Sequence, residues 1–265
     1  MQEAGQIDAT EASRAHALAV YQRSGACFPL IASVLHGTQR GQMFVDSNTS
    51  SIFVAGASRF TWAVESNDGL DGFLPALLAS PDAIAPRYLL WYDPPARWAE
   101  RLDAQPDKVR RRPRVRWRLP APIVDKARAE VSTRVEVRLL DAELAERTSE
   151  VGIDLSSFWS TKVDFLTRGV GVCLLVDGRM ASLCYAACVA DRLAEVDIVT
   201  APEHRGHGYA QMVGERFIDE CRDRDLEPTW DCFLANEPSM RLAKHLGFEQ
   251  RQAYDMYSFN LPLTV

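Results

Sequence analysis

Residues 193–210, LAEVDIVTAPEHRGHGYA, pass from a β-strand through a glycine-bearing bend into a helix. The strand covers 193–200. The helix runs from about 208 to 224, with Tyr209, Met212, Val213, Phe217 and Cys221 near one face. Such a handover gathers several unpaired backbone N–H groups at one point, and the helix dipole adds about half a positive charge there. A site of that kind binds phosphate groups without basic side chains. Gly206 and Gly208 permit unusual dihedrals and close approach to the backbone, and the small Ala210 leaves room beside the first turn. The glycine spacing fits neither the Walker loop nor the dinucleotide GxGxxG pattern. A plain strand-to-helix turn that uses glycine for its geometry is the competing account.

The rest of the second half has a clear order. A strand at 135–140 leads to a helix starting at Asp141, and 158–166 reads as helical. Strands at 170–176 and 180–190 flank Asp177-Gly178, a strong hairpin turn. Beyond the quoted stretch come a strand at 229–233, a helix at 237–246 and a last strand near 254–261. In the first half, helices at 10–24 and 29–35 precede a strand meander at 42–46, 51–55 and 59–65. A helix at 70–79, a strand at 87–92 and a helix at 95–103 follow. No internal repeat or low-complexity tract is visible. Residues 1–130 are therefore expected to form a smaller α/β domain with an acceptor-binding or structural role. Pro120 and Pro122 mark a linker, and 131–265 form the second domain.

Arg205-x-x-Gly208-x-Ala210 resembles the Q/R-x-x-G-x-G/A coenzyme A loop of the GCN5-related N-acetyltransferase (GNAT) superfamily. VDIVTAPEHRGHGYA (196–210) followed by LEPTWDCFLANEPSMRLAKHLGF (226–248) is similar to that superfamily's two central motifs in order and spacing. The stretch is especially similar to a subgroup that includes zwittermicin A-type self-resistance acetyltransferases. The resemblance is strong over 170–250 and fainter at 28–46. It implies an α/β chain whose second domain is a GNAT fold, with a mixed, mostly antiparallel sheet. The 193–200 and 229–233 strands would splay apart, with pantetheine in the gap. It further implies acetyl-coenzyme A as donor, a small-molecule primary amine as acceptor, and direct attack in a ternary complex.

Carried over residue by residue, the backbone at Val199 and Thr200 would bond pantetheine and polarise the thioester. The amides of Arg205, Gly206, His207, Gly208, Tyr209 and Ala210 would hold the pyrophosphate, with Arg205 adding its charge. Asn236 matches an asparagine that bonds pantetheine, and Ser239 lies one helical turn on. Ala243 stands where the superfamily often has a tyrosine as general acid, with Tyr254, Tyr257 and His245 as substitutes. That departure raises the alternative of a catalytically inactive acyl-coenzyme A-binding or regulatory protein.

An alkyl amine with pKa near ~10.4 must lose a proton before it attacks a thioester, so a base is expected. Glu195 is the first candidate and Asp197 the second, two apart on one face of a strand where core residues would be apolar. Charges at an exposed strand end, or partners for arginines, are the alternative for both. Ser182, Cys184, Tyr185 and Trp159 are candidate acceptor-pocket residues, with buried core as the plainer account of Cys184 and Trp159. His204 and the ring of His207 are bystanders, because such a loop works through its backbone. The five histidines form no cluster that suggests a metal.

Composition narrows the class. Residues 1–130 hold 16 Lys and Arg against 14 Asp and Glu, and 131–265 hold 14 against 22, so the second half is a poor nucleic-acid surface. In the basic stretch 108–118, Arg112, Arg114, Arg116 and Arg118 share one parity. That pattern reads as a strand with one wet cationic face, or as a contact for an acidic ligand. Six cysteines without a CxxC pair suggest buried thiols in a reducing cytoplasm. The polar, acidic N-terminus does not read as a signal peptide, and no apolar run approaches the ~20 residues of a membrane span.

Overall fold

The computed structural model describes residues 11–45, 51–64, 88–107, 109–120 and 134–260. The chain forms two compact units, Met1–Arg114 with Tyr254–Val265, and Val115–Ala253. The division does not follow a single cut near residue 130, because the end of the last strand belongs to the first unit. The expected helix at 70–79 and the linker beyond Pro120 lie outside the described residues.

The first unit opens with helices α1 (Glu11–Arg23) and α2 (Pro29–Leu35). Pro29 starts α2, where its missing N–H has no helical partner to lose, and every residue of α2 is buried. Strands β1 (Gly41–Val45), β2 (Ile52–Gly56) and β3 (Phe60–Val64) form an antiparallel meander. Strand β4 (Tyr88–Tyr92) runs parallel to β3. Helix α3 (Ala96–Asp103) buries Trp98 and Leu102, four residues apart and so on one face. Strands β5 (Val109–Arg118) and β11 (Glu249–Asn260) complete the order β1-β2-β3-β4-β11-β5. Phe53, Trp91, Trp98, Leu102 and Tyr257 form the core, each such buried side chain contributing about 1.5–3 kcal/mol. Tyr92 stacks on both Phe28 and Phe60, at 4.3 and 5.1 Å between ring centroids.

In the second unit the sheet order is β5-β10-β9-β8-β7-β6. Its elements are β6 (Val135–Leu139), α4 (Ala142–Glu146), α5 (Lys162–Arg168), β7 (Gly171–Val176), β8 (Arg179–Ala190), β9 (Leu193–Thr200), α6 (Tyr209–Asp223), β10 (Glu227–Phe233) and α7 (Glu237–His245). Asp141 caps α4 by accepting the Leu144 N–H at 2.9 Å. Asp177 and Gly178, both at positive φ, make the β7–β8 turn. One face of the sheet packs Tyr185, Leu183 and Leu175 against Leu144, Trp159 and Phe165. The other packs Val172, Cys184 and Ala186 against Val213, Phe217 and Cys221 of α6, the helix face expected from the sequence. Gly214 lets α6 approach the end of α7, since a Cβ there would lie 2.7 Å from a Leu246 methyl.

Two expectations are corrected. Residues 158–166 are not one helix, because Thr161 caps α5 by accepting the Asp164 N–H, and a three-ten turn (Leu155–Ser157) precedes it. The arginine face of β5 is not wet throughout, since Arg114 and Arg116 are each only 8% exposed. Arg116 lies 3.8 Å from Asp231, whose side chain is 4% exposed, so a carboxylate on β10 takes the place of water.

All six cysteines are reduced, and only Cys27 is not buried. Burial pushes Cys173 up to about 11 and Cys221 up to about 12, and raises Cys184 as well. A thiol-reactive dye is therefore expected to label Cys27 alone in the native chain and all six cysteines after unfolding.

Candidate functional site

The site is built where β9 ends. Strand β9 pairs antiparallel with β8 from Thr200 opposite Ser182 to Val196 opposite Ala186, and a bulge between Ala186 and Cys188 shifts the register beyond. The Ala201 N–H bonds to Ala181 O at 2.9 Å. The antiparallel alternation then directs the main-chain groups of Thr200, Ile198 and Val196 away from β8. On that side β9 meets β10, parallel, for three pairs only: Leu193 with Glu227, Ala194 with Pro228, and Glu195 with Thr229. Past Thr229 and Glu195 the two strands are no longer paired. Residues 196–200 and 230–233 thus face a gap lined by main-chain donors and acceptors, which is the splay expected from the sequence.

The loop at the end of the gap continues the same logic. A three-ten turn (Pro202–His204) leads to Arg205, whose Nε donates to Thr200 O at 3.3 Å. Gly206 and Gly208 sit at φ +82° and +80°, a region that favours glycine, and a Cβ on either would meet nothing within 4 Å. Gly208 precedes α6 without a side-chain cap, and the Met212 N–H is the first that the helix claims, bonded to Gly208 O. Among the described residues, no hydrogen bond uses the N–H of residues 206–211. His207 turns its ring back onto the loop, with Nδ1 3.0 Å from Arg205 O and the ring stacked on Tyr209. Consecutive amides at the N-terminus of a 15-residue helix suit a diphosphate.

One face of the strand pair carries the titratable groups. Glu195 is 8% exposed and accepts the Thr229 hydroxyl at 2.7 Å, on the last rung before the strands part. Asp197, one step farther along the gap, is half-buried, and its Oδ2 accepts the Tyr185 phenol at 2.7 Å. Burial, then the adjacent Asp197 carboxylate, holds the Tyr185 hydroxyl well above the ordinary tyrosine range, so it stays a donor. Parity puts Asp231, paired with Arg116, on this face as well, because Trp230 and Cys232 pack on the other.

The remaining expected residues have structural tasks. Asn236 caps α7, its side-chain oxygen accepting the Ser239 N–H at 3.2 Å. Ser239 Oγ accepts the Trp230 indole N–H at 3.0 Å. Val199 falls on the parity that bonds to β8, and its carbonyl also accepts the Ser182 hydroxyl at 3.0 Å. Ala243 is fully buried among Val115, Trp117 and Trp230. Tyr254 and Tyr257 belong to the first unit and are buried there, whereas His245 is exposed. Ile198 was missed, although its place two residues before Thr200 on one strand edge gave the signal. Asn236→Ala is expected to cost about 1 kcal/mol through the lost cap, read as a Tm lower by about 2–4 °C. Among the described residues, no three His, Cys, Asp or Glu side chains could hold a metal. Among the described residues, no helix is long and apolar enough to cross a membrane.

The fold recurs in solved structures. A GCN5-related N-acetyltransferase-like protein from Streptococcus suis 89/1591 superposes with a TM-score of 0.75 at 21% identity, covering 95% of this chain and 100% of that one. A tandem GNAT protein from the clavulanic acid biosynthesis pathway gives 0.65 at 12% identity, covering 98% of both. A GCN5-related N-acetyltransferase from Sphaerobacter thermophilus gives 0.60 at 14%, covering 97% and 93%. These likenesses establish a mixed α/β GNAT fold. The family model described as GNAT acetyltransferase matches residues 25–257, and the chain belongs to that family. It is also 35% identical over 100 residues to the uncharacterized N-acetyltransferase YdfB of Bacillus subtilis (strain 168), a match that spans 38% of each chain.

Proposed function

We propose that the chain transfers an acetyl group from acetyl-coenzyme A to a primary amine of a small molecule, by direct attack in a ternary complex in the cytoplasm. The observation that carries this reading is the parting of β9 from β10 after three pairs, with the amides of 206–211 at the end of the gap. The residues present fit the donor. Main-chain groups at Thr200 and Ile198 can bond an amide-bearing chain laid along β9, and the helix start can hold the diphosphate, with Arg205 beside it. The carboxamide nitrogen of Asn236 remains a donor while its oxygen caps α7.

The surroundings of the two candidate bases favour Asp197 over Glu195. Glu195 is enclosed on the paired rung with Thr229, whereas Asp197 stands beside the gap with one oxygen fixed by Tyr185. Asp197 takes the ammonium proton, the freed nitrogen bonds to the acyl carbon, the carbon–sulfur bond breaks, and the nitrogen's second proton passes through solvent to the departing thiolate. The buried Ala243 supplies no acid, but a leaving thiol of pKa near ~8.5 departs without one. An antibiotic or amino-acid-like amine suits the acidic second half of the chain, and the similarity to zwittermicin A-type enzymes favours the same acceptor class. Incubation with acetyl-coenzyme A and an amine library should release free thiol only when amine is present. Binding without release would favour the uptake-only reading that Ala243 motivates, and an acyl-enzyme formed without amine would overturn direct attack.

A further inference from the structure

The first unit repeats the second. In each, helices lead to a three-stranded antiparallel meander, then a strand parallel to the last of the three, a helix and a final strand. Helix α2 starts at 29 and α5 at 162, and β3 starts at 60 and β9 at 193, the same interval of 133 residues.

The two parallel junctions agree in detail. Each has three paired residues, Phe60–Trp62 with Leu90–Tyr92 in the first and Leu193–Glu195 with Glu227–Thr229 in the second. In each, the first paired residue of the parallel strand donates its N–H to the residue that precedes the meander's last strand. Leu90 donates to Arg59 O at 2.9 Å, and Glu227 donates to Arg192 O at 2.7 Å.

The copies differ where the second has its gap. Past the last pair, β9 continues through 196–200 and β10 through 230–233. In the first unit β4 ends on its last paired residue, Tyr92. Asp93, at φ 42°, then turns the chain into Pro94 and Pro95, which have no N–H to offer. Tyr92 itself is 3% exposed and stacked on Phe28 and Phe60.

We infer that the chain is a tandem of two copies of one fold, that the aromatic first copy has lost the donor cleft, and that the full chain takes up one acyl-coenzyme A. This rests on the donor-site reading above. Calorimetric titration of the full chain with coenzyme A should give one equivalent for wild type and none for Gly208→Val at ligand concentrations saturating the wild type. Two equivalents, or one retained by the variant, would overturn the inference. Two would leave the donor site of the second unit standing, whereas no uptake by wild type would remove both. Hydrogen exchange on the wild-type chain needs no variant. Coenzyme A should protect 196–211 and 230–236 and leave 59–64 and 88–92 unchanged, and protection in the latter pair would overturn the inference.

Discussion

Gly208→Val is expected to weaken coenzyme A binding about 100-fold or more, a loss of about 2.8 kcal/mol at roughly 1.4 kcal/mol per decade. Two effects add. At φ +80° a β-branched residue is strained, by about 1–2 kcal/mol, so the loop moves toward a conformation in which its amides no longer converge. If the backbone holds, the new side chain meets no protein atom within 4 Å of its Cβ and projects into the space in front of the helix start, where the anion must come. Gly208→Ala carries the strain with less bulk and should lose less. Strain of this size should lower Tm by only a few degrees in a chain of this length, so circular dichroism and calorimetry together separate a broken loop from a broken fold. Unchanged affinity in the valine variant would mean that these amides do not hold the diphosphate.

Asp197→Asn, at the proposed base, should lower kcat by about 10²–10⁴ while leaving the KM for acetyl-coenzyme A little changed, since a base serves the acceptor and not donor uptake. The pH dependence gives the sharper signature. Without a base, the amine loses its proton to solvent, so activity in the variant should climb with pH toward the amine's own value near ~10.4, where wild type has already levelled off. Glu195→Gln should cost far less turnover, because Glu195 is closed in with Thr229. An unaltered rate and profile in Asp197→Asn, with a collapse in Glu195→Gln, would restore the order suggested by the sequence alone.

What the sequence made legible is local. Leu193–Thr200 and Pro29–Leu35 fall where periodicity and proline put them, and Asp177-Gly178 is the hairpin its composition calls for. The loop from Arg205 to Ala210 was readable because glycine at positive φ and an uncapped helix start are properties of the chain itself. Features that depend on distant partners were not legible. Period-two spacing put Arg114, Arg116 and Arg118 on one face of β5, but only Asp231, over a hundred residues away, shows that part of that face is dry. Strand β11 starts at Glu249, in a polar stretch that carries no strand pattern, and β10 starts at Glu227 with a proline that reads as a breaker. The Thr161 cap was visible as threonine three before an acidic residue, yet the aromatic residues around it read more strongly as one helix. The repeated order of elements is kept in pairing and connection and not in side-chain pattern, so the sequence carries no visible repeat.

Because β11 pairs with β4 from Met256–Tyr92 to Asn260–Tyr88, the first unit is finished by a strand that follows every other element in chain order. On the ribosome its earlier strands must wait, with the edge of β4 uncovered, until β11 emerges. Neither half of the gene, expressed alone, encodes a complete sheet. A premature stop between residue 210 and β11 would therefore leave the first unit without a strand of its sheet.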